Sequence, residues 1–180
     1  MVYVVIGVIL VIFIYILIEY NSFARINYKV KEAFSTMDIY LKKRWDLVPN
    51  LVEIVKAYAK HESTTFEEVT KLRRNGYDNL SLRDKINANI KLYDEISKIL
   101  MVSENYPELK ANEGFLDLAQ KLTKVEDEIA NSRKYYNAVV KKLNTKIEMF
   151  PSNIIASIFK FKQADMFSID ENERKNISVS

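Results

Sequence analysis

Two regimes of apolar patterning divide the chain. Residues 1–18 contain no charged side chain, and at about 1.5 Å of rise each they make roughly 27 Å of helix, close to a hydrocarbon core of about 30 Å. A transmembrane helix is predicted over residues 1–19. From residue 23 onward apolar positions recur at steps of three and four, as in helices with one buried face. Phe23, Ile26, Val30, Ala33, Met37 and Leu41 predict a first helix running on from the span to about Trp45. Pro49 fits the first turn of a second helix, where its missing N–H costs nothing. Leu51, Val55, Tyr58, Phe66, Val69 and Leu72 supply that helix's face up to Asn75-Gly76. Ser81 caps a third helix carrying Leu82, Ile86, Ile90, Tyr93, Ile96 and Leu100, closed by Pro107. After a cap at Asn112, Phe115, Leu118, Leu122, Val125, Ile129, Ser132, Tyr136, Val139 and Leu143 predict a fourth. All four stripes are satisfied at once by an all-α fold, an antiparallel up-and-down four-helix bundle over residues 20–150 preceded by the one N-terminal transmembrane helix.

An up-down-up-down order brings the end of the fourth helix back to the membrane-proximal end of the bundle. Residues 151–162 there read as a short amphipathic helix with Ile154, Ile155, Ile158 and Phe159 close together and Lys160 and Lys162 beside them. Such a segment either lies in the bilayer interface near anionic headgroups or plugs the end of the core. Beyond Gln163 the apolar pattern fades into Asp165, Asp170, Glu171, Glu173 and Arg174, so residues 163–180 are expected to be a mobile tail. Arg25, Lys29 and Lys31 follow the span and nothing basic precedes it except the amino terminus. The positive-inside rule therefore puts a short N-terminus outside and the bundle in the cytoplasm, at the cell membrane in a single pass. Signal-peptide cleavage is disfavoured, because a basic n-region is missing and Ser22 and Ala24 lie beyond Glu19 and Asn21.

Composition narrows the chemistry. The 180 residues include no cysteine, which removes disulfides, thiolate metal sites and catalytic thiols. Three glycines and three prolines suit helices and argue against a phosphate-cradling loop. With 27 Lys+Arg against 24 Asp+Glu the net charge is +3, too small and evenly spread for a nucleic-acid partner. His61 is the only histidine. In His61-Glu62-Ser63-Thr64-Thr65 it lacks the second histidine of a helical zinc hydrolase, and no Gly-x-Ser-x-Gly turn offers it a nucleophile to activate. Glu126, Asp127 and Glu128 lack the Glu-x-x-His pairs of di-metal bundles. Asn79-Leu80-Ser81 and Asn176-Ile177-Ser178 match the glycosylation acceptor pattern, without consequence in a cytoplasmic domain. No catalytic residue, metal or cofactor is expected.

Polar residues at semi-buried positions are more telling. Glu126, Arg133, Asn137 and Asn144 follow one another at steps of seven, four and seven, which projects them within about 40° of one another on the last long helix. Near the first turn, Lys43, Arg44, Asp46, Asn50 and Glu53 form a second cluster interrupted by Trp45, Leu47 and Pro49. If buried, such groups must pair, and a satisfied network fixes helix register more than it adds stability. The alternative is a partner surface, built from Arg44, Trp45, Asp46, Asn50 and Glu53 at the membrane-distal end.

The run Leu41-Lys42-Lys43-Arg44-Trp45-Asp46-Leu47-Val48-Pro49-Asn50-Leu51-Val52-Glu53, with Tyr20-Asn21, Val30-x-Glu32-Ala33 and Tyr58-Ala59-x-His61-Glu62, resembles the LemA family. Tyr106-Pro107-x-Leu109-Lys110-Ala111-Asn112, the 126–144 stripe and Phe150-Pro151-Ser152-Asn153 are similar to its later blocks, so the likeness runs in order over residues 18–162. Phe34 stands where tryptophan is common, and Trp45 departs from the usual residue. The resemblance implies a bacterial protein with one N-terminal span, a cytoplasmic four-helix bundle and no established enzymatic activity, with one branch associated with magnetosome membranes. The expected function is a membrane-anchored scaffold or adaptor with an unidentified protein partner and an oligomeric state left open. The alternative is a small-ligand sensor, or an enzyme using Glu126, Arg133 and Asn137, marked by a concave pocket with perturbed carboxylates.

Overall fold

The computed structural model describes residues 1–59, 63–74 and 76–167. These contain six helices and, among the described residues, no strand: α1 Val2–Tyr58, α2 Ser63–Arg73, α3 Leu82–Ser103, α4 Pro107–Lys110, α5 Glu113–Glu148 and α6 Ser152–Ile158. The N-terminal part of α1 is long and apolar enough to cross a membrane, and none of that apolar window is buried against protein. Two compact units divide the chain. One is the described part of Met1–Ser35 with Ser132–Ser180, the other Thr36–Asn131, so α1 and α5 contribute to both.

The break expected between Trp45 and Pro49 does not exist, and α1 runs through Pro49 to Tyr58. An interior proline leaves the carbonyl four residues back without its N–H donor. Here that carbonyl belongs to Trp45, and Arg73 of α2 supplies the donor, its Nη1 standing 2.6 Å from the Trp45 oxygen. The same guanidinium lies 5.3 Å from the Trp45 ring centre. Flanking the proline, Trp45, Val48, Leu51, Val52 and Val55 are buried, so packing holds the helix on both sides of the gap. The residues expected to form the second helix are therefore shared: Leu51 and Val55 belong to α1, and Phe66 and Val69 to the buried face of α2. Residues 60–62 and Asn75 lie outside the described residues.

In the second unit, α3 buries Ile86, Asn89, Leu92, Ile96 and Ile99. The expected stripe is rotated, since Leu82 and Tyr93 are exposed. Ser81 caps α3 by accepting from the Asp84 N–H, as expected. Asn112 caps α5 through the Phe115 N–H at 2.9 Å.

In the first unit, α5 buries Ser132, Tyr136, Val140 and Leu143, α1 buries Phe23, Ile26, Val30 and Ala33, and Tyr136 meets Phe34 of α1 edge-on at 5.9 Å. Ser152 hydroxyl lies 2.7 Å from the Lys146 carbonyl and 2.8 Å from that of Met149, so its one proton is shared between acceptors where α5 ends. α6 is shorter than the 151–162 expected. It ends in a left-handed Lys160, with φ 56°. Lys160 N–H bonds the Ser157 oxygen and Phe161 N–H the Ala156 oxygen, the bond pair of a Schellman cap. That reversal stacks Phe161 on Phe23 at 4.9 Å. Phe159 and Phe161 meet Tyr20 at 4.8 and 5.8 Å.

Candidate functional site

Arg44 is 3% exposed, so its charge must be met inside the protein. Its Nη1 bonds both Glu126 oxygens at 2.8 and 2.9 Å. Nη2 donates to the Asn89 backbone and side-chain oxygens at 2.8 and 3.0 Å, and Nε to the same side-chain oxygen at 3.3 Å. Asn89 donates in turn to the Lys85 carbonyl at 3.0 Å. One step along, Lys85 Nζ stands 2.9 Å from Asp38, whose other oxygen accepts the Tyr77 hydroxyl at 2.5 Å. Arginine suits the central position because its planar fork serves a carboxylate and an amide at once.

The partner surface expected around Arg44 is corrected by burial. Arg44 and Trp45 face inward, because an arginine with five bonds to protein and an indole covered by the Arg73 guanidinium and met at a tilt by Tyr77 leave nothing for solvent. Asp46, Asn50 and Glu53 remain exposed. Glu53 lines a cavity of about 640 Å³ with Pro49, Lys56 and Arg73. The pattern missed Asn89, although an asparagine three residues from both Ile86 and Leu92 was the available signal.

The polar stripe of α5 does two jobs. Glu126 holds Arg44, whereas Asn137 and Asn144 hold the chain beyond α6. Asn137 donates to the Phe167 carbonyl at 2.9 Å and accepts from its N–H at 2.8 Å. Asn144 does the same for Ala164, at 2.9 Å both ways. Seven residues of helix rise about 10.5 Å, and three residues of extended chain span about 10 Å, so the two carboxamides match the repeat of the segment they bind. Tyr136 hydroxyl donates to the Asp165 carbonyl at 2.8 Å, and the Arg133 guanidinium lies 5.7 Å from the Phe167 ring. Residues 163–167 are thus fastened to α5 rather than belonging to a mobile tail. Asp170, Glu171, Glu173, Arg174 and Asn176 lie outside the described residues, as does His61.

Asn137→Asp with Asn144→Asp should release this segment, since each carboxylate keeps the shape but loses the donor and faces a carbonyl oxygen. About 1–3 kcal/mol per site is expected, read as faster exchange of the Ala164 and Phe167 amide hydrogens in the full chain. Unchanged exchange would show that the segment is held by Phe167 burial alone.

Two buried tyrosines make stability sensitive to alkali. Burial, then the hydrogen bond and charge of Asp38, push the Tyr77 hydroxyl up. Burial, then the charge of Asp165, push Tyr136 up. Unfolded tyrosine loses its proton near pH 10. Above that pH the native state holds protons that the unfolded chain has released, so stability falls with rising pH, by roughly 1.4 kcal/mol per unit for each such tyrosine. Urea midpoints at pH 9 and pH 11 should differ less in Tyr77→Phe than in the parent. An equal difference in both removes Tyr77 from the account.

Near the end of α5, Lys146 Nζ stands 2.5 Å from Ser22 Oγ and 2.8 Å from a Glu19 oxygen. The hydrogen bond is directed at Ser22, and Glu19 receives charge without bond alignment. Of the expected interfacial residues, Ile155 is buried in the core, while Ile154, Ile158 and Phe159 are exposed. The structure thereby divides a segment for which interface and core plug were rival readings.

A sequence model of the LemA family matches residues 33–180. Protein LemA of Metamycoplasma hominis is 25% identical over 164 residues, covering 89% of this chain and 74% of that protein. Magnetosome protein MamQ 2 of Paramagnetospirillum magneticum is 25% identical over 178 residues, covering 84% of this chain and 65% of its own length. Magnetosome protein MamQ of Magnetospirillum gryphiswaldense is 21% identical with the same coverage. The chain thus spans just under two thirds of the MamQ proteins it matches.

Proposed function

Because this chain belongs to the LemA family, we propose that it is a single-pass membrane-anchored scaffold, with a short N-terminus outside and an antiparallel helical bundle in the cytoplasm that docks a protein partner without catalysing a reaction. The observation that carries this reading is the use of the interior charges. Arg44, Glu126, Asp38 and Lys85 are each engaged by another interior group, which serves helix register. Support for the bundle comes from the pairing of Lys56 with Phe66 and Trp45 with Arg73 along α1 and α2, and of Asp38 with Lys85 and Arg44 with Asn89 along α1 and α3. The basic residues Arg25, Lys29 and Lys31 support the orientation. Exposed Ile154, Ile158 and Phe159, the last of these next to Tyr20, support an α6 that rests in the interface. Relatives named for the magnetosome support a part in an assembly.

Photocrosslinking residues placed at Asp46, Asn50 and Glu53 in intact cells test the scaffold. A discrete protein adduct, absent when the crosslinker replaces Tyr28, is expected. Recovery of nothing but lipid from all positions contradicts a docking role.

A further inference from the structure

We propose that the first unit holds the phosphate of an anionic phospholipid headgroup in the groove between α1 and α5. This deepens the anchored reading and rests on residues 1–18 crossing the bilayer. The groove has a volume of about 730 Å³, within the range of small-molecule sites. Its lining begins at Ile18, the last residue of the uncharged stretch, and continues along one face of α1 through Ser22 and Arg25 to Lys29. Lys142 and Lys146 face it from α5, and among the described residues no acidic side chain lines it.

The cations are not equivalent. Lys146 is spoken for by Glu19 and Ser22. Among the described residues, Arg25, Lys29 and Lys142 have no carboxylate within ion-pair distance, and all three are exposed. Three uncompensated cations around an apolar floor of Ile18, Ile26 and Val139 match a molecule with an anionic head and hydrocarbon tails. Position favours the lipid over a soluble anion. Arg25 stands seven residues past Ile18, about 10 Å along the helix, and side chains of α1 lean toward its N-terminus, which is the membrane side. Long basic side chains there reach back to the headgroup layer while their stems stay on apolar surface. A second cavity of about 460 Å³ shares Lys142 and Lys146 and adds Lys141 and Met149, extending the basic, lipid-facing surface along α5.

The test uses the full chain in an uncharged detergent, titrated with dioctanoyl phosphatidylglycerol, dioctanoyl phosphatidylcholine and inorganic phosphate, with calorimetric binding and the melting temperature as readouts. Phosphatidylglycerol is expected to bind at least about tenfold more tightly than phosphatidylcholine and to raise the melting temperature. Its preference should shrink as salt rises from 0.05 to 0.5 M. Arg25→Gln with Lys29→Gln and Lys142→Gln should abolish the preference while leaving the lipid-free melting temperature unchanged. Equal affinity for the two lipids in the parent protein overturns the proposal. So does inorganic phosphate binding as tightly as phosphatidylglycerol, or a preference that survives the triple substitution. The salt series needs no variant and decides the matter even if the triple variant misfolds. Retention in membranes after alkaline extraction, measured separately, reports on the anchor: a chain that stays in the membrane yet ignores headgroup charge fails this proposal alone.

Discussion

Arg44→Met in the full chain in detergent should lower unfolding free energy by about 3 kcal/mol, at the lower end of what breaking a buried charge pair costs. The lower end applies because the Glu126 side chain keeps 27% exposure and recovers some hydration. Removing the guanidinium leaves the fully buried Asn89 side-chain oxygen without that donor and the half-buried Glu126 carboxylate without its cation. Arg44→Lys should recover only part of the loss, since one ammonium cannot reproduce a planar fork reaching two helices. Replacing Arg44, Asn89 and Glu126 together by apolar residues of similar volume should restore most of it, because no polar group is then stranded. Denaturant midpoints check all three. If Arg44→Met melts with the parent, the network contributes nothing to stability and its role in register falls with it.

Ile9→Arg with Ile12→Arg should move the protein from the membrane pellet to the soluble fraction. Each arginine near the centre of the span costs about 2.5–3.5 kcal/mol on insertion scales, and two of them three residues apart on one face sit too deep for both to reach the same interface. α1's apolar window makes no compensating contact with protein. A double variant found wholly in the pellet after alkaline extraction would show that attachment resides elsewhere, with exposed Ile154, Ile158 and Phe159 the first place to look.

The stripe of α1 was legible to its end: Phe23, Ile26, Val30, Ala33, Met37 and Leu41 are all buried, and the same spacing continues through Trp45, Val48, Val52 and Val55. What obscured that continuity was a local rule. Proline suits a helix start because its missing N–H costs nothing there, and the donor that lets it stand inside α1 comes from Arg73, which no short window contains. On α3 the error was of a different kind. A stripe drawn through apolar residues alone passes by Asn89 and puts Tyr93 inward, whereas a fully buried Asn89 serves as the seat for Arg44. The stripe Glu126, Arg133, Asn137 and Asn144 was visible, but its partners were not. Carboxamides that bind backbone leave no complementary side-chain pattern in the segment they hold, so residues 163–167 looked like the start of a tail.

The Trp45 carbonyl also sets an order of events during synthesis. Arg73 follows Trp45 by 28 residues, which at about 5–20 residues per second leaves a nascent chain without that donor for roughly 1.5–6 s. During this interval the ladder of α1 lacks the bond to the Trp45 carbonyl, so the helix bends most easily at that turn. With the N-terminal segment already able to enter a bilayer, the hinge gives the ribosome-bound remainder freedom to swing while the anchor is being seated. Arrival of α2 then supplies the missing donor, so this turn of the long helix stiffens only once residue 73 has been made.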